Sequence, residues 1–156
     1  MKEQVAILLV GAPGSGKTTW GKHYAESRDI VRLCPDEFRA KFGTGEDDQS
    51  VSAQAFGATR AAMANLLIAG QSVMIDATNM YRKARKDFVR LAREAGVKTM
   101  AVVFELPKNV LLERNKKRGE AGGRNVSEEV IDDMLDRYQR PEEGTEFDAV
   151  LFISKA

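Results

Sequence analysis

Residues 11–18 read G-A-P-G-S-G-K-T, and few octapeptides restrict a fold as tightly. In the pattern G-x-x-x-x-G-K-[ST], glycines let backbone N–H groups close around phosphate oxygens, the lysine reaches the outer phosphates and the final hydroxyl meets Mg²⁺. Such a loop needs a strand before it and a helix after it. Val5 to Val10 is a continuous apolar run of strand length, and from Lys17 to Glu26 only Gly21 weakens a helix. Gly11, Ala12, Pro13, Gly14, Ser15, Gly16, Lys17, Thr18 and Thr19 are therefore the expected nucleotide-cradling segment, with Thr18 the expected Mg²⁺ ligand. A glycine turn that binds nothing would leave several N–H groups aimed at one point without purpose.

The rest of the chain alternates strands with helices. Ile30–Leu33 reads as a second strand ended by Cys34 and Pro35, with Asp36 at a helix N-cap and Glu37 to Phe42 as a short helix. Residues 43–49 are a polar connection, and a long helix is expected from about Val51 to Ala69, stopped by Gly70. Ser72–Ile75 is the third strand, ending at Asp76. Ala84, Phe88, Leu91, Ala92 and Ala95 make Tyr81 to Ala95 an amphipathic helix closed by Gly96. Thr99 to Leu106 is a fourth strand and Lys108 to Arg118 a helix. Residues 119–125 form a loop with three glycines, and Ser127 caps a further helix. Ala149–Ile153 is the last strand. Five strands joined through helical crossovers predict an α/β domain with a mainly parallel sheet and helices on both faces. In such a sheet, ligands bind beyond the carboxyl ends of the strands.

At 156 residues the chain is expected to form a single domain, and 43% hydrophobic residues suffice for a core. No apolar run reaches membrane-spanning length, and Met1 to Gln4 does not read as a signal peptide, so a cytoplasmic location without a membrane partner is expected. One cysteine, Cys34, excludes an internal disulfide. A formal charge of +1 neither favours nor excludes a polyanionic substrate.

Four segments in order carry a resemblance: G-A-P-G-S-G-K-T-T-W, P-D-E-F-R (Pro35 to Arg39), I-D-A-T-N (Ile75 to Asn79) and R-N-K-K-R-G (Arg114 to Gly119). Together they resemble the kinase domain of phage-type 5′-polynucleotide kinases and their bacterial end-healing relatives, within the P-loop kinase superfamily. The likeness runs over nearly the whole chain. Its phosphate loop marks only the superfamily, whereas D-x-x-R after the second strand with R-x-x-x-R before a glycine lid is narrower. The resemblance implies a P-loop kinase fold with a lid at about residues 114–126, ATP or another nucleoside triphosphate as donor, Mg²⁺, and a 5′-hydroxyl polynucleotide as acceptor.

Each position then has an expected role. Lys17 and the loop amides stabilise the transferring phosphoryl group, and Asp36, ionised at neutral pH, is the candidate base for the acceptor hydroxyl. The resemblance places Arg39 on a phosphate next to the accepting end; the plain alternative is an ion pair with Asp36, three residues back on the helix. Asp76 is expected at the substrate pocket by resemblance, although its position also suits a carboxylate reaching Mg²⁺ through water, or a turn. Arg114 and Arg118 share a helix face at i and i+4, where two like charges repel unless an anion separates them. Arg118 is assigned to the β and γ phosphates, Arg114 more loosely to the nucleotide, and Arg124 rides on the glycine segment.

Other residues have plainer readings. Arg82, Lys83, Arg85, Lys86, Arg90 and Arg93 make one helix basic, either a solvated face or a guide for a strand. His23, Trp20 and Cys34 are expected on the surface or in packing. The acidic run G-T-G-E-D-D-Q beside Asp36 and Glu37 would repel a polyanion unless basic residues offset it. Two further readings stay open: a P-loop kinase acting on a sugar acid or nucleoside, and a nucleotide switch without catalysis.

Overall fold

The structure is a computed structural model that describes residues 3–46, 48–123 and 126–154. In chain order its elements are β1 (Val5–Val10), α1 (Lys17–Arg28), β2 (Ile30–Leu33), α2 (Pro35–Phe42), a short 3₁₀ turn (Gln49–Val51), α3 (Ser52–Ile68), β3 (Ser72–Ile75), α4 (Arg82–Glu94), β4 (Lys98–Phe104), α5 (Lys108–Glu120), α6 (Glu128–Arg137) and β5 (Ala149–Ile153). The strands form one sheet in the order β2-β3-β1-β4-β5, and every pairing is parallel. The expected fold class is the one observed.

Strand β1 lies at the centre of the sheet, so both of its faces must be apolar. Ala6, Leu8 and Val10 face a core shared with Met63 and Leu67 of α3 and Phe88, Val89 and Ala92 of α4. Ile7 and Leu9 face the opposite core with Ala25 of α1, beside Trp20 and Tyr24. A third cluster of Ala12, Met80 and Leu111, with Met134 and Leu135 packed against it, seats α5 and α6 beside the phosphate loop. Gly70 and Gly96 adopt left-handed φ angles of 86° and 71° just past α3 and α4, which is why those helices stop there.

Three expectations are corrected. Asp36 is not the N-cap of α2: the cap is Cys34, Pro35 starts the helix, and Asp36 stands within the first turn. Proline's fixed φ and missing N–H suit the first helical position, which moves the cap one residue upstream of it. Gly119 belongs to α5 rather than to the loop, because the helix continues to Glu120. On α4 the buried stripe is Arg85, Phe88, Val89 and Ala92, while Ala84 and Ala95 are exposed. Arg85 is fully buried because Glu146 meets its fork at 2.8 and 3.0 Å and the carbonyl of Asn79 accepts from it at 2.8 Å.

That burial removes one member of the basic face, and others are engaged locally. Arg82 pairs with Glu142, Arg90 with Asp87 and Glu94, and Arg93 donates to the carbonyl of Glu146. Much of the helix is thus structural, not an uncompensated stripe of charge. Among the described residues no helix is long and apolar enough to cross a membrane.

Candidate active site

The phosphate loop starts where β1 ends and runs into α1. Gly14 and Gly16 have φ angles of 86° and 92°, a region that side-chain-bearing residues rarely adopt. Gly11 is needed for closeness instead: a Cβ there would stand 2.7 Å from Ser15 Oγ and 3.0 Å from Phe104 Cβ. The Gly11 N–H donates to the carbonyl of Thr78 at 2.9 Å, tying the loop to the segment after β3. Lys17 is buried, and its ammonium donates to the carbonyl of Ala12 at 3.1 Å, across the loop. Ser15 Oγ is buried without a hydrogen-bond partner among the described residues. Left-handed glycines, a lysine folded across the loop and an unsatisfied hydroxyl together suit phosphate oxygens.

From this loop one chain of polar contacts leads to the second crossover. The Thr18 hydroxyl donates to Asp76 Oδ2 at 3.0 Å. The same oxygen accepts from Arg32, with Nε at 2.9 Å and Nη2 at 2.7 Å. Arg32 Nη1 then reaches Glu37 at 2.6 Å. Asp76 is 3% exposed, so its charge is balanced inside the protein rather than by water. Burial by itself would lower the Arg32 pKa, but the Asp76 and Glu37 carboxylates overcome it and hold it above its ordinary value. Cys34 lies beside this cluster; burial, reinforced by the Asp76 charge, pushes its thiol up to about 12.

Asp36 neighbours Glu37 on the first turn of α2 and is ion-paired with Arg39 one turn on. Arg39 is buried, and it also donates to the carbonyl of Glu46 at 2.8 Å and faces Ser52 Oγ at 3.3 Å. It thereby links α2 to Glu46 and to Ser52 at the start of α3. Asp48 accepts from the N–H groups of Thr44 and Ser50 at 3.0 and 3.1 Å.

Helix α5 closes the other side. A Cβ on Gly14 would stand 3.1 Å from the carbonyl of Leu111 and 3.6 Å from Arg114 Cβ, so α5 rests directly on the loop. Arg114 is partly buried there, and Arg118 is exposed one turn further. Gly123 folds back on that turn: its N–H donates to the carbonyl of Arg118 at 2.8 Å. Arg124 lies outside the described residues. Asn115 acts like a strip of backbone toward Val126, accepting from its N–H at 3.0 Å and donating to its carbonyl.

Thr18 and Asp76 offer hard oxygen donors of the kind Mg²⁺ takes when substrate phosphates complete its shell. Among the described residues no cluster of three His, Cys, Asp or Glu side chains forms a self-sufficient metal site. A cleft of about 660 Å³ lined by Gln4, Tyr24, Asp29 and Ser72 lies at the starts of the strands, remote from this chemistry. Trp20 is a packing residue, stacked on Tyr24 at 4.7 Å and edge-on to Phe104 at 5.7 Å, and His23 is exposed.

Sequence reasoning missed Arg32, Asn115 and the Arg85–Glu146 pair. Arg32 had one visible sign: a charge inside an otherwise apolar strand run.

Strand, loop and helix on a parallel 2-3-1-4-5 sheet, with lysine, threonine and aspartate converging at its carboxyl edge, define a P-loop nucleotide-binding domain. The chain belongs to the AAA domain family (AAA_33), which it matches over residues 7–141. It is similar to the L-seryl-tRNA(Sec) kinase of Methanococcus maripaludis, with 27% identity over 90% of this chain and 54% of that protein. Among solved structures it superposes on a chain of the Pnkp1/Rnl/Hen1 RNA repair complex with a TM-score of 0.77 and 26% identity, covering 93% of this chain and 51% of that one. It also shares the fold of the APS kinase CysC of Mycobacterium tuberculosis, solved with AMPPNP and APS, with a TM-score of 0.67 and 18% identity over 100% of this chain and 92% of that one. The chain spans about half the length, or less, of the curated relatives it matches first.

Proposed function

We propose that this domain transfers the γ-phosphoryl group of ATP, or of another nucleoside triphosphate, to the 5′-hydroxyl of a DNA or RNA end. The observation that carries the reading is the run of contacts Thr18–Asp76–Arg32–Glu37, which ties the phosphate loop to the turn of α2 where Asp36 stands. In-line transfer needs positioning and charge stabilisation more than covalent chemistry. Lys17 and the loop amides would hold the β and γ phosphates, with Arg118 and, more loosely, Arg114 approaching from α5. Thr18, Asp76 and the phosphate oxygens would hold Mg²⁺, which when bound offsets charge on the transferring oxygens. Asp36 would take the acceptor proton as the hydroxyl oxygen bonds to the γ-phosphorus and the bond to the β,γ-bridging oxygen breaks, releasing ADP. The segment from Arg114 through the glycines to 126 would serve as a lid.

Two relatives support a nucleic-acid acceptor: one is named as a kinase of a seryl-tRNA and the other comes from an RNA repair complex. The D-x-x-R spacing of Asp36 and Arg39 supports it further, with Arg39 leaving its ion pair to meet a phosphate of the acceptor. A small-molecule acceptor is the second reading. It is favoured by the burial of Arg39 and by the near-complete overlap with an APS kinase chain.

The test is label transfer from γ-labelled ATP with Mg²⁺ to 5′-hydroxyl oligonucleotides of both sugars, beside gluconate and adenylyl sulfate, with Asp36→Asn as control. Labelled oligonucleotide in wild type alone supports the proposal. Label only on a small acceptor selects the second reading, and binding of ATP without transfer to anything leaves a nucleotide switch.

A further inference from the structure

We propose that Arg32 is a positioning residue: by bridging Asp76 and Glu37 it fixes the orientation of α2, and so of Asp36, relative to Thr18. This rests on the phosphotransfer reading above. Helix α2 has only eight residues, and its N-terminus has no side-chain cap. Pro35 presets a dihedral there but provides no N–H to anchor. The Asp36–Arg39 pair lies within the helix, so it cannot set the helix's direction with respect to the sheet. Arg39 ties α2 to Glu46 and Ser52. Phe38 packs α2 against the sheet core, and Arg32 adds a directional polar tie between α2 and the strand ends.

The geometry suits that task. The Arg32 side chain is 11% exposed, and its guanidinium splits its donors between two elements. The Nε and Nη2 edge holds Asp76 at the end of β3, while Nη1 holds Glu37 on α2. Asp76 is itself fixed to β2, since its N–H donates to the carbonyl of Leu33 at 2.8 Å. Thr18 and Arg32 meet on one oxygen of Asp76, so the hydroxyl at the phosphate side and the cation steering the acceptor side share a single anchor. A planar fork can serve two carboxylates in different directions, whereas a lysine ammonium is a point charge on a flexible stem.

Displacing a catalytic group by about 1 Å costs on the order of 10²-fold in rate. Arg32→Met should therefore lower phosphoryl transfer at saturating acceptor by that order, and lower it far more than the slow hydrolysis of ATP by water. Arg32→Lys should recover only part of the loss, and Glu37→Gln should fall in the same direction by less. A second readout needs no turnover: amide hydrogen exchange over α2 should be faster in Arg32→Met than in wild type. A wild-type ratio of transfer to hydrolysis in Arg32→Met overturns the proposal. Equal loss of both reactions overturns it too, since that is the mark of a misfolded fraction. If wild type phosphorylates no acceptor, the function reading fails on its own, and unchanged amide exchange of α2 in Arg32→Met then rejects the positioning role.

Discussion

Arg39 is the more buried member of its ion pair with Asp36: 7% of the arginine side chain is exposed, against 33% of the aspartate's. The carboxylate is therefore held at the surface by a cation that is itself fastened to the Glu46 carbonyl. Substituting Asp36→Asn keeps the shape and removes the proposed proton acceptor. Transfer should fall by about 10² to 10⁴-fold, the usual contribution of a general base, with ATP affinity unchanged. Steady-state kinetics beside calorimetric titration of ATP would check both halves; a drop of less than about 10-fold would mean that Asp36 is not the base.

Arg39→Ala should act on the acceptor. Without the guanidinium the Glu46 carbonyl loses its bond to α2, and an incoming phosphate loses its proposed partner. The acceptor KM should rise by about 10-fold or more, as expected for a charge-assisted hydrogen bond of roughly 1.5–3 kcal/mol, while the KM for ATP stays put. For a polynucleotide acceptor that KM should also climb with salt in wild type and climb less steeply in the variant.

Gly14→Ala should impair nucleotide binding and stability together. The residue is left-handed at φ 86°, and its new methyl would stand 3.1 Å from the Leu111 carbonyl. The conformational penalty is about 1–2 kcal/mol, enough to weaken ATP binding roughly 5- to 30-fold if the loop relaxes away from its cradle. Calorimetry of ATP binding would measure it.

Arg85→Met should be the most destabilising of these changes although it touches no proposed substrate. It strands Glu146, only 12% exposed, and removes a donor from the Asn79 carbonyl. Breaking a buried pair costs about 3–5 kcal/mol, or roughly 6–20 °C in Tm for a domain of this size. Adding Glu146→Gln should recover part of the loss, and a thermal double-mutant cycle would reveal it.

Cys34 sets a dependence on alkali. Its folded pKa is about 12, raised from 9.0 by burial and the Asp76 charge. Between those values the unfolded chain has released the thiol proton and the folded chain has not, so unfolding is favoured as pH rises through 9. The slope is about 1.4 kcal/mol per pH unit at most. Denaturant titrations at pH 8 and pH 10.5 should show wild type losing more stability than Cys34→Ala across that interval.

The legible parts of the molecule were those whose signals are local. Val5–Val10, Ile30–Leu33, Ser72–Ile75 and Ala149–Ile153 are short apolar runs bounded by turn residues, and each is a strand with those bounds. The phosphate loop was legible for the same reason, since its glycines, lysine and threonine are contiguous. What stayed hidden depends on partners far along the chain. Arg85 reads as one more charge on a basic helix until Glu146, 61 residues later, meets it. Arg32 reads as a flaw in a strand until Asp76, 44 residues on, accepts from it. The capping of α2 was misread because Asp36 is a good cap by type, while Pro35 before it already marks the helix start.

Trp20 gives the molecule an optical gauge of its own. It is the chain's one tryptophan, two residues beyond Thr18, with its indole against Tyr24 and the ring of Phe104, whose Cβ abuts Gly11. Any shift of the cradle when a ligand settles reaches that indole through contacts of a few ångströms. Its emission should therefore register occupancy in unmodified protein, without a dye.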